Sequence, residues 1–208
     1  MLRRSVRSDT NAFSQFPRFD YNIDAFVQLG KFHVLGTSSN IRAWAFSSDS
    51  GYWLNHSRLR PRLGLRADIT SGDRNPKDNV LQTFNPLFPG TTYSDTIGLI
   101  GAPNSIGLFA NLRMVPWHGI TTTFGPAFFW RESTHDGIYS INVAPLRTGQ
   151  LSNARYVGAQ PSVRIDWPIQ RHWSYTLIVS AFRTGQFLKE TQPGKSTSYV
   201  TTWLTFKF

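Results

Sequence analysis

Four arginines, Arg58, Arg60, Arg62 and Arg66, recur at even spacing in RLRPRLGLRADIT. Successive side chains on a strand point to opposite faces, so this spacing puts all four guanidinium groups on one side of one strand. Like charges set side by side repel and destabilise a sheet. Water screens them well only where the strand borders an aqueous space. Arg42, Arg113, Arg131 and Arg164 fall on the polar side of their own alternating segments. Together the eight predict a cationic wall. Rings of arginine and lysine select anions, and the guanidinium fork pairs with carboxylates through two parallel hydrogen bonds. The implied cargo is a small or polymeric carboxylate. Asp20, Asp24, Asp68 and Asp166 share these polar faces. With them the surface also reads as a self-neutralising lumen that chooses no substrate.

Other chemistries are poorly supported. Ser133 and His135 lie two apart in RESTHDG with no oxyanion element beside them, and that spacing does not make a serine triad. Asp73, Asn75 and Asp78 in SGDRNPKDN supply hard oxygen ligands, but Arg74 and Lys77 oppose a cation and a polar turn is the simpler reading. The histidines, His33, His56, His118, His135 and His172, form no ligand motif, and cysteine is absent. No metal or cofactor is expected. The net charge of +10 raises nucleic acid as a partner. The arginines alternate with apolar residues, and no RNP-like motif, zinc finger or basic helix accompanies them, so no nucleic acid is expected.

Period-2 patterns must position these residues. They recur from Phe19 to Phe208 and predict about eight strands, near 19–33, 38–49, 57–70, 105–116, 119–132, 153–167, 172–185 and 197–208. In the first, Phe19, Tyr21, Ile23, Ala25, Val27 and Leu29 oppose Asp20, Asn22, Asp24 and Gln28. In the second, Ile41, Ala43 and Ala45 are set opposite Arg42, Trp44 and Phe46. In the third, Leu59, Leu63, Leu65, Ala67 and Ile69 oppose the arginine row, with Pro61 an awkward ladder residue on the apolar face. In the sixth, Val157, Ala159, Val163, Ile165 and Trp167 oppose Gln160, Ser162, Arg164 and Asp166. Globular strands average about 5 to 6 residues, whereas a tilted strand crossing a bilayer needs about 9 to 11, so these lengths favour a membrane barrel. The connections agree. Pro116–Gly119 and Pro168–Arg171 are tight, while 71–104, 133–152 and 186–196 are long. Outer-membrane barrels join their strands by short periplasmic turns and long extracellular loops. Trp117, Trp167 and Trp173 flank the short turns, where an aromatic girdle would meet the headgroups.

No stretch approaches the roughly 18 uncharged apolar residues of a spanning helix. The mean hydropathy of -0.29 is no objection to a barrel, whose lipid-facing and lumen-facing residues average out. The N-terminal MLRRSVRSDTNAFSQFPR is basic and lacks an apolar core, so it is not a secretory signal. An exported protein needs one, and the expectation is that Met1 is not the native start. Residues 1–18 read as a non-native or loop-like segment and 19–208 as one barrel domain.

Particular runs carry a resemblance. RPRLGLRADITSGDRN, TFNPLFPGTTY, FFWRESTHDGIY and ARYVGAQ, with IRAWAFSSDSGYW before them and GQFLKETQPGKSTSYVTTWLTFKF at the end, resemble the alginate export family of outer-membrane barrels. The similarity spans roughly residues 19 to 208. Members are longer, forming one large barrel with a basic pore that passes an anionic polyuronate. The resemblance therefore implies the C-terminal half of such a barrel, with Phe208 as the signal to the barrel-assembly machinery.

The sequence thus predicts an all-β, antiparallel, up-and-down transmembrane barrel, or the C-terminal half of one, in the cell outer membrane. It is read as a channel and not an enzyme. Its partners are outer-membrane lipid and an anionic polysaccharide or small anionic solute. Loops 71–104 and 133–152 are placed to gate its mouth. The alternatives are a small closed eight-strand barrel with a structural or binding role, an outer-membrane lipid hydrolase, and an inactive gene fragment.

Overall fold

The computed structural model describes residues 2–5, 18–34, 37–54, 58–87, 98–117 and 119–208. His56, His118, most of the first segment and part of TFNPLFPGTTY lie outside them. In chain order the elements are β1 (Leu2–Ser5), β2 (Phe19–Val34), β3 (Thr37–Trp53), β4 (Arg62–Thr70), β5 (Val80–Leu81), β6 (Ser105–Trp117), β7 (Ile120–Arg131), β8 (Ile138–Tyr139), β9 (Pro145–Arg147), β10 (Tyr156–Gln170), β11 (Trp173–Thr184), α1 (Gln186–Glu190) and β12 (Thr197–Phe206). Eight long strands, β2, β3, β4, β6, β7, β10, β11 and β12, stand close to the eight expected.

They form one sheet in the order β1-β2-β3-β4-β6-β7-β10-β11-β12, each pair antiparallel, with β5 added in parallel to β3 and β8 pairing β9 apart from it. The order follows the sequence, as an up-and-down meander must. Among the described residues β12 pairs with β11 alone, so the sheet is not closed. The turns after β3, β6 and β10 lie at one end with the C-terminus. The long connections after β4, β7 and β11 lie at the other.

The two faces differ as period 2 requires. Val27, Leu29, Leu63, Leu65, Val179, Val200 and Leu204 are exposed on the outer face. An apolar surface of this extent marks contact with lipid or protein. At the short-turn end Phe19 lies across from Tyr52, and Trp173 packs on Phe206 with ring centroids 4.9 Å apart. Trp117 and Trp167 are exposed beside them, so this rim has the composition of an aromatic girdle.

The inner face holds two small apolar cores, both near the long-loop end. Phe129, Ala127 and Phe182 pack with Ile100, Ile138 and Phe187 from the loops, and Phe84 packs on Ala43 and Ala45. Hence the loops fold inward over the upper part of the inner face. Val157 belongs to the first core, contrary to its expected outer position. A bulge between Tyr156 and Gly158 against β7 resets the alternation at that residue.

Four of the eight arginines stand elsewhere than expected. Arg58 and Arg60 are not on a strand: β4 begins at Arg62, and both are exposed in the preceding turn. Pro61 has no N–H for the ladder, and Arg60 takes a left-handed φ of 46°, so the strand cannot extend back. Arg42 lies on the outer face. Its partner across the ladder is Leu29, while Trp44 faces Val27 and Phe46 faces Ala25. The large aromatics of β3 point out, and the small Ala43 and Ala45 point in, where Phe84 covers them. Arg131, expected to line the lumen, is fully buried among the loops.

Candidate functional site

The inner face below the loop cores carries the remaining arginines. Arg62 and Arg113 are direct partners across β4 and β6, Arg113 faces Thr123 on β7, and Thr123 faces Arg164 on β10. Antiparallel register therefore strings Arg62, Arg113 and Arg164 along one level of the wall near the short-turn end. Arg66 stands four residues, two pleat repeats, higher on β4, opposite Phe109.

Each of these except Arg113 is held by aspartate. The Arg62 Nε lies 3.0 Å from Asp20 Oδ2, its Nη2 also bonds Asp20 Oδ1, and Nη2 reaches Asp49 at 3.4 Å. The Trp53 indole N–H donates to the same Asp20 carboxylate at 2.7 Å. Arg164 grips Asp166 through both fork nitrogens at 2.7 and 2.8 Å, and Thr176 donates a third bond to that carboxylate. The Arg66 Nε is 3.0 Å from Asp68, which Ser47 also donates to at 2.6 Å, and the Arg66 guanidinium lies 3.9 Å above the Phe109 ring. Arg113 is exposed and makes no ion pair among the described residues. Asp49, Arg62, Arg66, Asn111, Thr123 and Ser162 line a polar hollow of about 340 Å³ on this face, floored by Gly125, Pro126 and Ala127. Four arginines and five aspartates (Asp20, Asp24, Asp49, Asp68 and Asp166) therefore share the described strand face, close to balance.

A local positive excess sits at the short-turn rim. Arg18, Arg58, Arg60, Arg171 and Lys207 are all exposed at the short-turn end. No Asp or Glu occurs among the described residues of the turns there.

At the other end a buried knot fixes the loops. Arg131 donates to the carbonyls of Ala154, Thr134, Asp136, Gly149 and Ser152, the bonds running from 2.5 to 3.4 Å, and its guanidinium lies 3.9 Å above the Phe187 ring. Asp136 accepts from the Asp73 amide, the Thr83 hydroxyl, the Gly137 amide and the Tyr139 hydroxyl, at 2.6 to 2.8 Å. Asn104 joins the same segments through the Ser133 and Gly137 carbonyls and the Ser133 amide. Burial pushes the Asp73 carboxyl above its usual range, against the pull of the Asn75 amide, and the charges of Asp136 and Asp78 add to the rise. Burial and the bond to Asp136 push the Tyr139 phenol well above its ordinary value. Nothing in the sequence marked Asn104 and Asp136 as a unit, since Asn104 reaches partners 29 and 33 residues away and Asp136 reaches partners 53 and 63 residues away.

The remaining motifs are structural. The Ser133 hydroxyl donates to the Asp73 carbonyl at 2.6 Å and accepts from the His135 amide, so the pair shows no nucleophile–base contact. Asp73, Asn75 and Asp78 each accept an amide two residues on, which makes the segment a run of polar turns. No group of ligating side chains able to hold a metal occurs among the described residues. A family model described as alginate export matches residues 2–202. No curated protein matches the chain.

Proposed function

This chain belongs to the alginate export family, a family of outer-membrane transport channels, and on that premise we propose that it forms part of the wall of a channel that passes anionic solutes, an alginate-like polyuronate among them. The observation that carries the reading is the division of one long-stranded sheet. Its outer face is apolar and exposed, while its inner face bears Arg62, Arg66, Arg113 and Arg164, the first two lining a polar hollow. The aspartate clamps hold three of the guanidinium groups in place. Arg113, which makes no ion pair among the described residues, and the remaining N–H groups of its neighbours are left for carboxylates of the cargo. The basic rim of Arg18, Arg58, Arg60, Arg171 and Lys207 would face the periplasm and concentrate polyanions at the entrance.

Open strand edges are not tolerated in hydrocarbon. Among the described residues one side of β12 has no partner strand, so a spanning barrel needs a strand there, a role that the C-terminal half of a larger barrel would leave to the other half. The single test is the reversal potential of the complete barrel in planar bilayers across a salt gradient. Wild type is expected to prefer anions. Arg62, Arg113 and Arg164 changed together to Ser should lose that preference, and unchanged selectivity would remove the anion-channel reading.

A further inference from the structure

The outer face of β2 changes chemistry at one position. From Phe19 to Leu29 every outward residue is apolar, and then Lys31 follows on the same side. Across the ladder Phe46 and Trp44 lie against Ala25 and Val27, Arg42 lies against Leu29, and Asn40 lies against Lys31. Lys31 and Arg42 are thus diagonal neighbours, a relation that sets Cα atoms about 7–8 Å apart. Both are exposed, and neither makes an ion pair among the described residues.

Their height on the wall follows from strand geometry. Ten steps from Phe19 to Leu29 at about 3.3 Å each, tilted by about 40°, span roughly 25 Å, the height of the apolar band on an outer-membrane barrel. Lys31 and Arg42 therefore stand at the upper border of that band, at the long-loop end. A lipid-facing arginine at mid-bilayer costs about 2–4 kcal/mol and close to nothing at the interface. At this border the pair meets headgroups. Arg supplies a planar fork for phosphate and Lys a mobile point charge, with Asn40 directly across the ladder from Lys31.

We propose that Lys31 and Arg42 form a binding site for the phosphorylated headgroup of an outer-leaflet glycolipid. This rests on the outer-membrane reading, in which the long-loop end faces the cell exterior. The phosphate anchors the barrel at the correct depth and covers two cations that make no ion pair among the described residues.

The test uses the complete barrel folded into phosphatidylcholine vesicles containing lipid A or its dephosphorylated form. Native mass spectrometry counts the lipid retained, and heat-modifiable gel mobility reports insertion. Lipid A is expected to be retained over the dephosphorylated form. The double variant Lys31→Gln/Arg42→Gln should lose at least about tenfold in retention, as two surface charges imply. The charge-conserving Lys31→Arg/Arg42→Lys should keep it. Both variants are checked for insertion, which removing lipid-facing charge does not oppose. Equal retention by the glutamine variant, or no preference for phosphate in a chain that inserts, overturns the lipid site and leaves the channel reading standing. A complete barrel that enters no vesicle overturns both.

Discussion

The Arg131 guanidinium lies 3.9 Å above the ring of Phe187, sealed between α1 and the segment that follows β7. Its donors reach carbonyls of five residues from 134 to 154. A hydrogen bond to a charged group contributes about 1.5–3 kcal/mol net, and carbonyls left bare in the interior cost more. Arg131→Met fills a similar volume but supplies no donor. The expected outcome is local loosening worth about 3 kcal/mol or more: cleavage by added protease within 132–155 rises at least tenfold, while strand content by circular dichroism is unchanged. Protease resistance equal to wild type would show that the knot is held by its apolar contacts alone.

How much of this was legible in the sequence varies with the kind of contact. Strand number came through because alternation is a local property, and all eight long strands are present with the shared polar face of Arg62, Arg66, Arg113 and Arg164, although β4 begins only at Arg62 and β3 runs on to Trp53. Arg42 was misplaced because both registers of IRAWAF are apolar. The deciding signal lay further on, where Ser47, Asp49 and Gly51 continue the parity of Ala43 and Ala45 and mark it as the inner one. Arg58 and Arg60 continue the spacing of a strand, but the backbone leaves it, as Pro61 warned. Arg131 has the right parity as well, yet its partners are backbone carbonyls. Carbonyls are carried by every residue and leave no mark in the sequence.

Arg62 separates electrostatics from mere pore shape. It neutralises Asp20 and Asp49 at the edge of the hollow. Arg62→Gln leaves both carboxylates facing the passage, so the channel should shift towards cations. Asp49→Asn removes one of the five carboxylates and should shift it towards anions. Reversal potentials measured on the two variants should move several-fold in permeability ratio, in opposite directions. Movement in the same direction would mean that size and not charge sets the selectivity.

Gly125 is the floor of the hollow, and its lack of a side chain is required by the strand beside it. A Cβ at this position would sit 2.2 Å from the Ala110 carbonyl oxygen, a backbone atom that cannot swing aside. Gly125→Ala must push β6 and β7 apart where Pro126 already faces Pro161 across the β7–β10 ladder. Overpacking of this kind costs about 1–3 kcal/mol. The expected result is a lower unfolding midpoint in urea, read by loss of heat-modifiable mobility. An unchanged midpoint would mean that the two strands separate at no cost.

Asp73 gives the loop knot a pH dependence whose sign can be worked out. Its carboxyl is held above the usual range by burial, with Asp136 and Asp78 adding to the rise. A folded value above the unfolded one means that the folded knot binds the proton more tightly. Stability is then greatest below the unfolded value, about 3.9 for a free aspartate, and declines as pH rises through the raised one. The knot should therefore resist protease better in mild acid than at neutrality, the reverse of the usual salt-bridged carboxylate. Asp73→Asn keeps the acceptor for the Asn75 amide and removes the charge. It should flatten the profile across the carboxylate range and leave a second decline at alkaline pH, where the Tyr139 phenol, also raised, begins to lose its proton beside Asp136. Amide exchange of residues 132–147 followed against pH reads both steps, and an acid-side slope that survives in Asp73→Asn would assign it to a different carboxylate.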